Sequence, residues 1–421
     1  MTLHYLVGML GIITIFAVGF LFSENRSAVN WRSVLGAFCI QVVFAAFILY
    51  IPVGRVVLNS VSGAVSGILE YGHEGTEFLF GQLAQFKLGF IFAVNVLPSI
   101  VFFSALISVL YYLGVMKWVI STIGGLLQKL LGTTRTESMS ATANIFVGSV
   151  EAPLVVRPFL ARMTRSELFA VMVGGLASVA GGTMVGYAGL GVQLKYLIAA
   201  SFMSAPAGLM MAKLLVPQTE GVHTMEEEDD GEEDEPVNMV DAASRGALSG
   251  LQIAMAVGAS LLAVISLIAL VNGGLGHIGN WLASVGHWLG FNWDALHQLS
   301  LNMIFGYLFA PVAWLIGVPW SEATTAASLI GTKIAVNEFI AFAELMKPET
   351  IAKLSEHSQA IVTFALCGFA NLTSIAMLMG GLGGIVPQRR PEIARLGMKA
   401  IFAATLANLM SATLAGLFLP L

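Results

Sequence analysis

The sequence predicts an all-α integral membrane protein with eight transmembrane helices and two re-entrant helical hairpins arranged as inverted repeats. Three observations lead there. Hydrophobic residues make up 57% of the 421 and charged residues 11%, with a mean hydropathy of +0.83; a soluble domain carries roughly 25% charged residues. Glu151 and Glu338 each lie inside a short apolar stretch, VGSVEAPLVV and KIAVNEFIAF. The elements around these two carboxylates recur in the same order in both halves of the chain.

A spanning helix needs about 20 apolar residues. Segments of that kind fall at 3–22, 33–52, 88–113, 167–191, 196–216, 246–271, 360–384 and 399–419. The first follows only Met1-Thr2-Leu3-His4, without the basic start of a signal peptide, and is expected to be retained. Residues 53–86 carry Glu70, His73, Glu74 and Glu77 among apolar positions and are expected at the membrane interface. Residues 115–133 and 299–317 are amphipathic. Each is followed by a stretch too long for a loop and too broken to span, 137–162 and 321–345, read as re-entrant hairpins. Irregular backbone at that depth is tolerated only inside protein or beside a watery cavity.

The order amphipathic helix, hairpin with a central Glu, Gly-rich helix and last spanning helix therefore appears at 115–216 and again at 299–419. Short echoes support the parallel: Gly175-Leu-Ala-Ser178 against Gly368-Phe-Ala-Asn371, and Gly189-Leu-Gly191 against Gly381-Leu-Gly383. The chain divides into N-terminal scaffold helices with the interfacial segment (1–113), a first repeat (114–216), an acidic loop (217–240), a scaffold helix with an interfacial helix (241–298) and a second repeat (299–421).

Charge sets the expected orientation. Ten of the acidic residues lie in Glu220–Glu235, and without them the net charge turns from −5 to +5. That segment reads as a solvated linker, with weak calcium binding or partner docking as the alternative. With the N-terminus outside, the inner loops hold 13 Lys and Arg and the outer loops 5, Arg157 and Lys333 lying inside the hairpins. The positive-inside rule selects this topology. It brings the two hairpins in from opposite sides.

A carboxylate at bilayer depth is expensive and by default marks a substrate or ion path. Two of them at corresponding places in two inverted units suggest one polar site in an alternating-access secondary transporter. The alternative for each is a structural ion pair, Glu151 with Arg157 and Glu338 with Lys333. Ser178 in one Gly-rich helix, and Asn371, Thr373 and Ser374 in the other, add neutral polar groups. Carboxylates with amides and hydroxyls suit a neutral, hydroxyl-rich solute; Phe369 could stack on a ring. Asn144 with Ser178 and free backbone carbonyls would form an all-oxygen site for a hard monovalent cation. Cys39 and Cys367 lie in apolar segments and the seven histidines are scattered. No metal cluster, disulfide framework, nucleophile elbow, phosphate loop or nucleic-acid patch is indicated, and enzyme chemistry is not expected.

GSVEAPLVVRPF at 148–159, ASVAGGTMVGYAGLGV at 177–192, GTKIAVNEFIAF at 331–342 and ALCGFANLTSIA at 365–376 resemble the concentrative nucleoside transporters. The closing run at 391–418 is similar to the family's end as well, so the resemblance covers about residues 90–420. It implies a homotrimer in the cytoplasmic (inner) membrane, a fixed scaffold holding a mobile transport domain, and elevator-type uptake of nucleosides coupled to sodium. By the same resemblance Ser149, Val150 and Glu151 would face the nucleobase, while Glu338, Asn371 and Ser374 would hold the ribose with Phe369 nearby. Asn144, the backbone of Val147 and Ser178 would coordinate sodium. Open alternatives are a proton-coupled nucleoside symporter, an elevator-type carrier of another neutral polar solute, and a channel or membrane scaffold.

One departure generates a prediction. The family usually has Gln, then Ser, Thr or Asn, before the hairpin Glu, where this chain has Ser149 and Val150. Ser149 is shorter, Val150 offers no polar group, and a carboxylate only accepts hydrogen bonds. Each net hydrogen bond lost is worth about 0.5–1.5 kcal/mol. Ser149→Gln with Val150→Thr is therefore expected to tighten nucleoside binding several-fold and sharpen base preference. Calorimetry across a nucleoside panel checks this; unchanged affinity for every nucleoside would remove the tip from base recognition.

Overall fold

The computed structural model describes residues 2–85, 91–149, 151–221, 236–288, 293, 296–297 and 299–419, and among these it contains helices and no strand. The N-terminal part runs through α1 (Thr2–Leu21), α2 (Trp31–Ala45), α3 (Pro52–Phe80), α4 (Phe92–Asn95) and α5 (Leu97–Tyr112). The first repeat comprises α6 (Val115–Leu131), α7 (Arg135–Ala143), a 3₁₀ segment (Ala152–Phe159), α8 (Arg165–Ala177), α9 (Gly181–Gly189) and α10 (Leu194–Leu215). After α11 (Met239–Trp288), the second repeat comprises α12 (Leu301–Leu315), α13 (Trp320–Ala335), α14 (Glu338–Leu345), α15 (Pro348–Ile351), α16 (Glu356–Leu366), α17 (Ser374–Gly380), α18 (Leu382–Ile385) and α19 (Arg390–Phe418).

Local chemistry accounts for the hairpin boundaries. Both amphipathic helices end at a glycine in the left-handed region, Gly132 (φ +64°) after α6 and Gly317 (φ +106°) after α12, where a side chain would be strained. The second of these turns bends α12 against α13 by 115°. α7 and α8 each open with a capping box: Thr134 with Glu137 and Thr164 with Glu167, each pair satisfying two helix-end N–H groups.

Burial separates a core from a periphery. The apolar windows of Arg165–Gly189, Leu194–Leu215 and Pro387–Phe418 are 89%, 94% and 78% buried, against 11% for Pro52–Gln85, 17% for Phe92–Tyr112 and 6% for Met239–Trp288. α10 and α19 lie together at the centre, with α8 and α16 against both; α1 packs on α19 and α2 on α10. α5 and α11 run along each other. A Cβ at Gly246 of α11 would lie 2.7 Å from the Ser104 carbonyl oxygen of α5, so the close approach depends on small residues.

Eight helices among the described residues are long and apolar enough to cross a membrane, nine if the bent α12–α13 pair is one span. Their membership differs from the sequence expectation. The expected span 360–384 is interrupted: α16 ends at Leu366 and helix resumes only at Ser374. Conversely, the stretch read as interfacial forms the 29-residue α3, which is long enough to span. Span 246–271 lies inside the 50-residue α11, about 75 Å long at 1.5 Å per residue. The start of span 88–113 and most of the acidic segment, residues 222–235, lie outside the described residues.

Contacts at the two ends of the bundle demonstrate the inversion. At one end Glu24 accepts from Arg165 and Lys399, both at 2.9 Å, and Arg389 donates to the carbonyls of Leu160 (3.2 Å) and Met163. Partial burial would raise the Glu24 carboxyl, but these two cations hold it below its ordinary value. At the other end the Gly416 carbonyl accepts from His4 (2.8 Å) and His357 (3.0 Å), and Glu322 accepts from the Ser355 hydroxyl at 3.0 Å. The first hairpin opens toward the Glu24 end and the second toward the His357 end.

The base of the first hairpin is pinned by a buried ion pair of Glu137 with Lys213 of α10, Lys213 also donating to Ser166 at 3.1 Å. Removing one partner of such a pair costs about 3–5 kcal/mol, because the other charge stays buried. Lys213→Met is therefore expected to lower the thermal midpoint in detergent sharply. Adding Glu137→Gln, which keeps an acceptor for the Thr134 N–H, should recover most of the loss; if the double variant is no better than the single, the ion pair is not what holds the hairpin.

Candidate functional site

Four interruptions of helix meet in the core: the tips at 144–151 and 336–337, and the breaks at 178–180 and 367–373. Gly148 and Pro153 open the first tip. The second has neither residue; there Asn337 caps α14, its side-chain oxygen accepting from the Ile340 N–H at 2.9 Å, which starts a new helix without glycine or proline. Hydrogen bonds stitch each tip to a break. The Gly181 N–H donates to the Phe146 carbonyl at 3.1 Å, and the Leu372 N–H to the Ile334 carbonyl at 3.1 Å.

Glu338, at the start of α14, is 4% exposed. Its Oε2 accepts from the Asn371 amide at 2.9 Å and its Oε1 from the Tyr187 hydroxyl of α9 at 3.1 Å. Asn371 is oriented by its own oxygen, which accepts from the Ser374 N–H (3.0 Å), the Ser374 hydroxyl (3.0 Å) and Thr373 (2.6 Å). The Phe369 carbonyl accepts from Ser374 as well. The structure thus brings Glu338, Phe369, Asn371 and Ser374 into one cluster. It holds a buried carboxylate by neutral donors only.

The expected cation ligands Asn144, Val147 and Ser178 are all buried. Asn144 is 1% exposed, its amide nitrogen donates to the Ser140 carbonyl at 2.8 Å, and its Oδ1 is buried with no hydrogen-bond partner. Gly174 lets it approach α8: a Cβ there would stand 3.2 Å from the Asn144 amide nitrogen. The Ser201 hydroxyl joins the first tip to the first break, reaching the Ile145 carbonyl at 2.8 Å and the Val179 carbonyl at 3.4 Å. Ser178, also buried, makes among the described residues only a 3.5 Å side-chain contact, with the Gly175 carbonyl. An orphaned amide oxygen, a loosely held hydroxyl and the tip backbone at Val147 are the donor set a hard cation takes.

The first tip differs from expectation in detail. Ser149 is 4% exposed and points its hydroxyl at the Met377 sulfur of α17, 3.1 Å away. Val150 lies outside the described residues. Glu151 is partly buried; its Oε2 accepts from the Gly148 N–H at 3.1 Å, and its Oε1 lies 3.5 Å from the Ser249 hydroxyl of α11. Among the described residues, no ion pair joins Glu151 to Arg157 or Glu338 to Lys333. Neither carboxylate is thus held by a contact ion pair of its own hairpin, although Lys333 still attracts Glu338 from farther away.

Comparison with known proteins decides what this constellation belongs to. Family profiles described as "Na+ dependent nucleoside transporter" match residues 10–83 at the N-terminus and 196–416 at the C-terminus, and one described as "Nucleoside recognition" matches 93–194. The chain is 54% identical to an uncharacterized transporter of Haemophilus influenzae, over 99% of this chain and 98% of that protein. It is 48% identical to the nucleoside permease NupC of Helicobacter pylori, again over 99% and 98%. It superposes on CNTnw in an inward-facing substrate-bound state with a TM-score of 0.93 at 53% identity, covering 99% and 98% of the two chains. A substituted form of CNTnw in an outward-facing state gives 0.94, covering 99% of each chain. The chain belongs to the concentrative nucleoside transporter family.

The transporter is thus a multi-pass membrane protein of nucleoside uptake and not an enzyme. Sequence reasoning missed Tyr187, which supplies half of the bonding to Glu338, and Ser201, which joins the first tip to the first break. Tyr187 shares α9 with Thr183, and Ser201 shares α10 with Tyr196 and Ser204, so a hydroxyl in an apolar helix was the available signal but did not single out these two. Tyr187 is fully buried, its ring 4.5 Å from Phe339 and 4.6 Å from Phe342, so packing fixes the hydroxyl where Glu338 needs it.

A hydrogen bond to a carboxylate contributes about 1.5–3 kcal/mol. If Glu338 accepts from adjacent ribose hydroxyls, Glu338→Gln is expected to weaken uridine binding at least tenfold, about 1.4 kcal/mol, with a smaller loss for Tyr187→Phe. Wild-type affinity for free uracil should be poor. Calorimetry with uridine and uracil checks both; equal affinity for the two ligands would remove the ribose assignment.

Proposed function

We propose that the transporter is a cation symporter that takes up nucleosides with sodium by an elevator-type movement of the repeat core. The observation that carries the cation is the buried Oδ1 of Asn144, without a hydrogen-bond partner among the described residues, on a side chain packed at Gly174 of α8, the helix that ends just before Ser178. Leaving a buried acceptor unsatisfied costs about 1–3 kcal/mol, and a sodium ion held with the Val147 carbonyl would offset that. The nucleoside reading rests on the Glu338–Asn371–Ser374 cluster for the ribose, with Glu151, Ser149 and Val150 toward the base and Phe369 against a ring.

Packing supports a division into moving and fixed parts. Within the scaffold read as residues 1–113, α1 and α2 pack against α19 and α10, leaving α3 and α5, together with α11, as the least covered helices. These helices bury little of themselves within one chain, and a homotrimer would cover part of that surface, lipid the remainder. The Arg165, Lys399 and Arg389 end would face the cytoplasm in the inner membrane, with the N-terminus outside. Matches to relatives in inward- and outward-facing states support alternating access.

Proton coupling is the second reading, because Glu338 is a buried carboxylate without an ion pair and could take a proton. The two readings part in vesicles. An imposed sodium gradient is expected to drive uridine accumulation at constant pH, and Asn144→Leu to abolish that drive while the protein stays folded. Equal uptake in choline, responding only to a pH gradient, would overturn sodium in favour of protons.

A further inference from the structure

Lys333 and Asn408 take no part in the sites described above, and both are buried polar groups inside apolar helices. Lys333, on α13 five residues before Glu338, is 1% exposed; Asn408, on α19, is 2% exposed. The Lys333 ammonium donates to the Asn408 Oδ1 at 2.7 Å and to the Ala365 carbonyl at 3.2 Å. The Asn408 amide nitrogen donates to the Ala177 carbonyl at 2.7 Å and to the Cys367 carbonyl at 2.8 Å. No carboxylate lies within ion-pair distance of Lys333 among the described residues; its hydrogen bonds go to neutral carbonyl oxygens, and Glu338 attracts its charge from farther away. A buried charge without a counter-ion is unfavourable unless something specific compensates it. Here that compensation is the carbonyl end of α16, where the helix dipole is negative, together with the more distant attraction of Glu338.

The carbonyls involved are not arbitrary. Ala177 is the last residue of α8, directly before Ser178. Ala365 and Cys367 flank Leu366, the last residue of α16, directly before the segment that carries Phe369 and Asn371. The chain is drawn tightly onto Asn408 at this point. Gly368 has φ +154°, and a Cβ added there would lie 2.4 Å from the Asn408 Oδ1 and 2.9 Å from the Ala177 carbonyl oxygen. Both amide hydrogens of one side chain are therefore used on the two broken helices, one from each repeat. Its oxygen is used on the hairpin helix that leads to Glu338. Repeat one places the unpartnered Asn144 oxygen against its broken helix; repeat two places a lysine ammonium against its own.

We propose that Lys333 is a built-in cation for the second repeat, and that Asn408 is the positioning residue that couples the cation site beside Ser178 to the nucleoside groups beside Glu338 and Asn371. A cation bound at Ser178 fixes the end of α8. Through Ala177, Asn408 and Cys367 that fixes the backbone entering Asn371, while Lys333 holds the same amide against α13. Linkage makes the effect reciprocal: bound nucleoside must raise cation affinity by the same factor.

This inference rests on the sodium reading, and two measurements keep the two apart. The first is uridine affinity by calorimetry in saturating sodium and in choline, for wild type, Asn408→Asp and Lys333→Gln. Asn408→Asp keeps the shape and the acceptor for Lys333 but loses both donors. Lys333→Gln keeps a donor without the charge. Wild type is expected to bind more tightly in sodium by a factor in the usual range of about 5–150. In both variants that factor should collapse to about twofold or less. A merely structural role would lower the melting temperature and leave the factor unchanged, and that outcome overturns the proposal.

The second measurement needs no sodium effect. Amide hydrogen exchange is followed over 177–181 and 366–372 in choline. In Asn408→Asp the two segments, nearly 190 residues apart in sequence, are expected to gain exchange together. If only one loosens, Asn408 does not join them and the proposal is overturned. Wild-type affinity that is equal in sodium and choline, with both segments loosening together in the variant, would sink the sodium reading and leave the Asn408 link standing.

Discussion

Everything in the core depends on where the freed backbone groups of four helix interruptions find partners. Water is absent at bilayer depth, and an unsatisfied carbonyl or N–H there costs several kcal/mol. The solution is mutual: each hairpin tip satisfies part of a broken helix, as Phe146 does for Gly181 and Ile334 for Leu372. Ser201 and Asn408 take further carbonyls of the tips and breaks. Polar residues in helices that are otherwise apolar are thus a consequence of breaking helices inside a membrane. The binding groups follow from the same act, because a helix end is also where carboxylates, amides and hydroxyls can converge.

That arrangement sets what the site can hold. Glu338 is surrounded by donors that carry no charge, Tyr187 and Asn371, so the carboxylate retains its capacity to accept from a solute's hydroxyls instead of being locked to an arginine or lysine. Asn144 presents the opposite case, an acceptor with nothing yet to accept from. The two repeats share a skeleton and differ in chemistry. One carries a buried amide oxygen, Asn144 Oδ1, without a hydrogen-bond partner among the described residues, and the other a buried lysine, Lys333. A duplicated, inverted frame supplies the geometry, and side-chain divergence assigns the roles.

Much of this was legible from residue type and order. The hairpins at 137–162 and 321–345 were visible because each is too long for a loop, too broken to span and carries a glutamate at its centre. The Glu338–Asn371–Ser374 grouping was visible through motifs that resemble a family. The break in 360–384 was not, since composition alone reads the segment as a continuous span. What interrupts it is the close passage of Gly368 against Asn408, 40 residues later in the chain. The segment 53–86, read as interfacial from its four titratable residues, forms one continuous 29-residue helix, α3.

Residue by residue, the sequence determined the membrane class, the inverted order of elements, the end-to-end charge asymmetry and the identity of the polar groups available. Those follow from hydropathy, spacing and charge, which are local or additive along the chain. Only the tertiary structure decided which of those polar groups meet. Lys333 reads in sequence as a plausible partner for Glu338, five residues on; in the fold it turns to Ala365 and Asn408. Glu338 turns to Tyr187, 151 residues away. Hydrogen bonds act over about 3 Å and carry no periodic trace in the chain, so their pairing is set by how the two repeats cross.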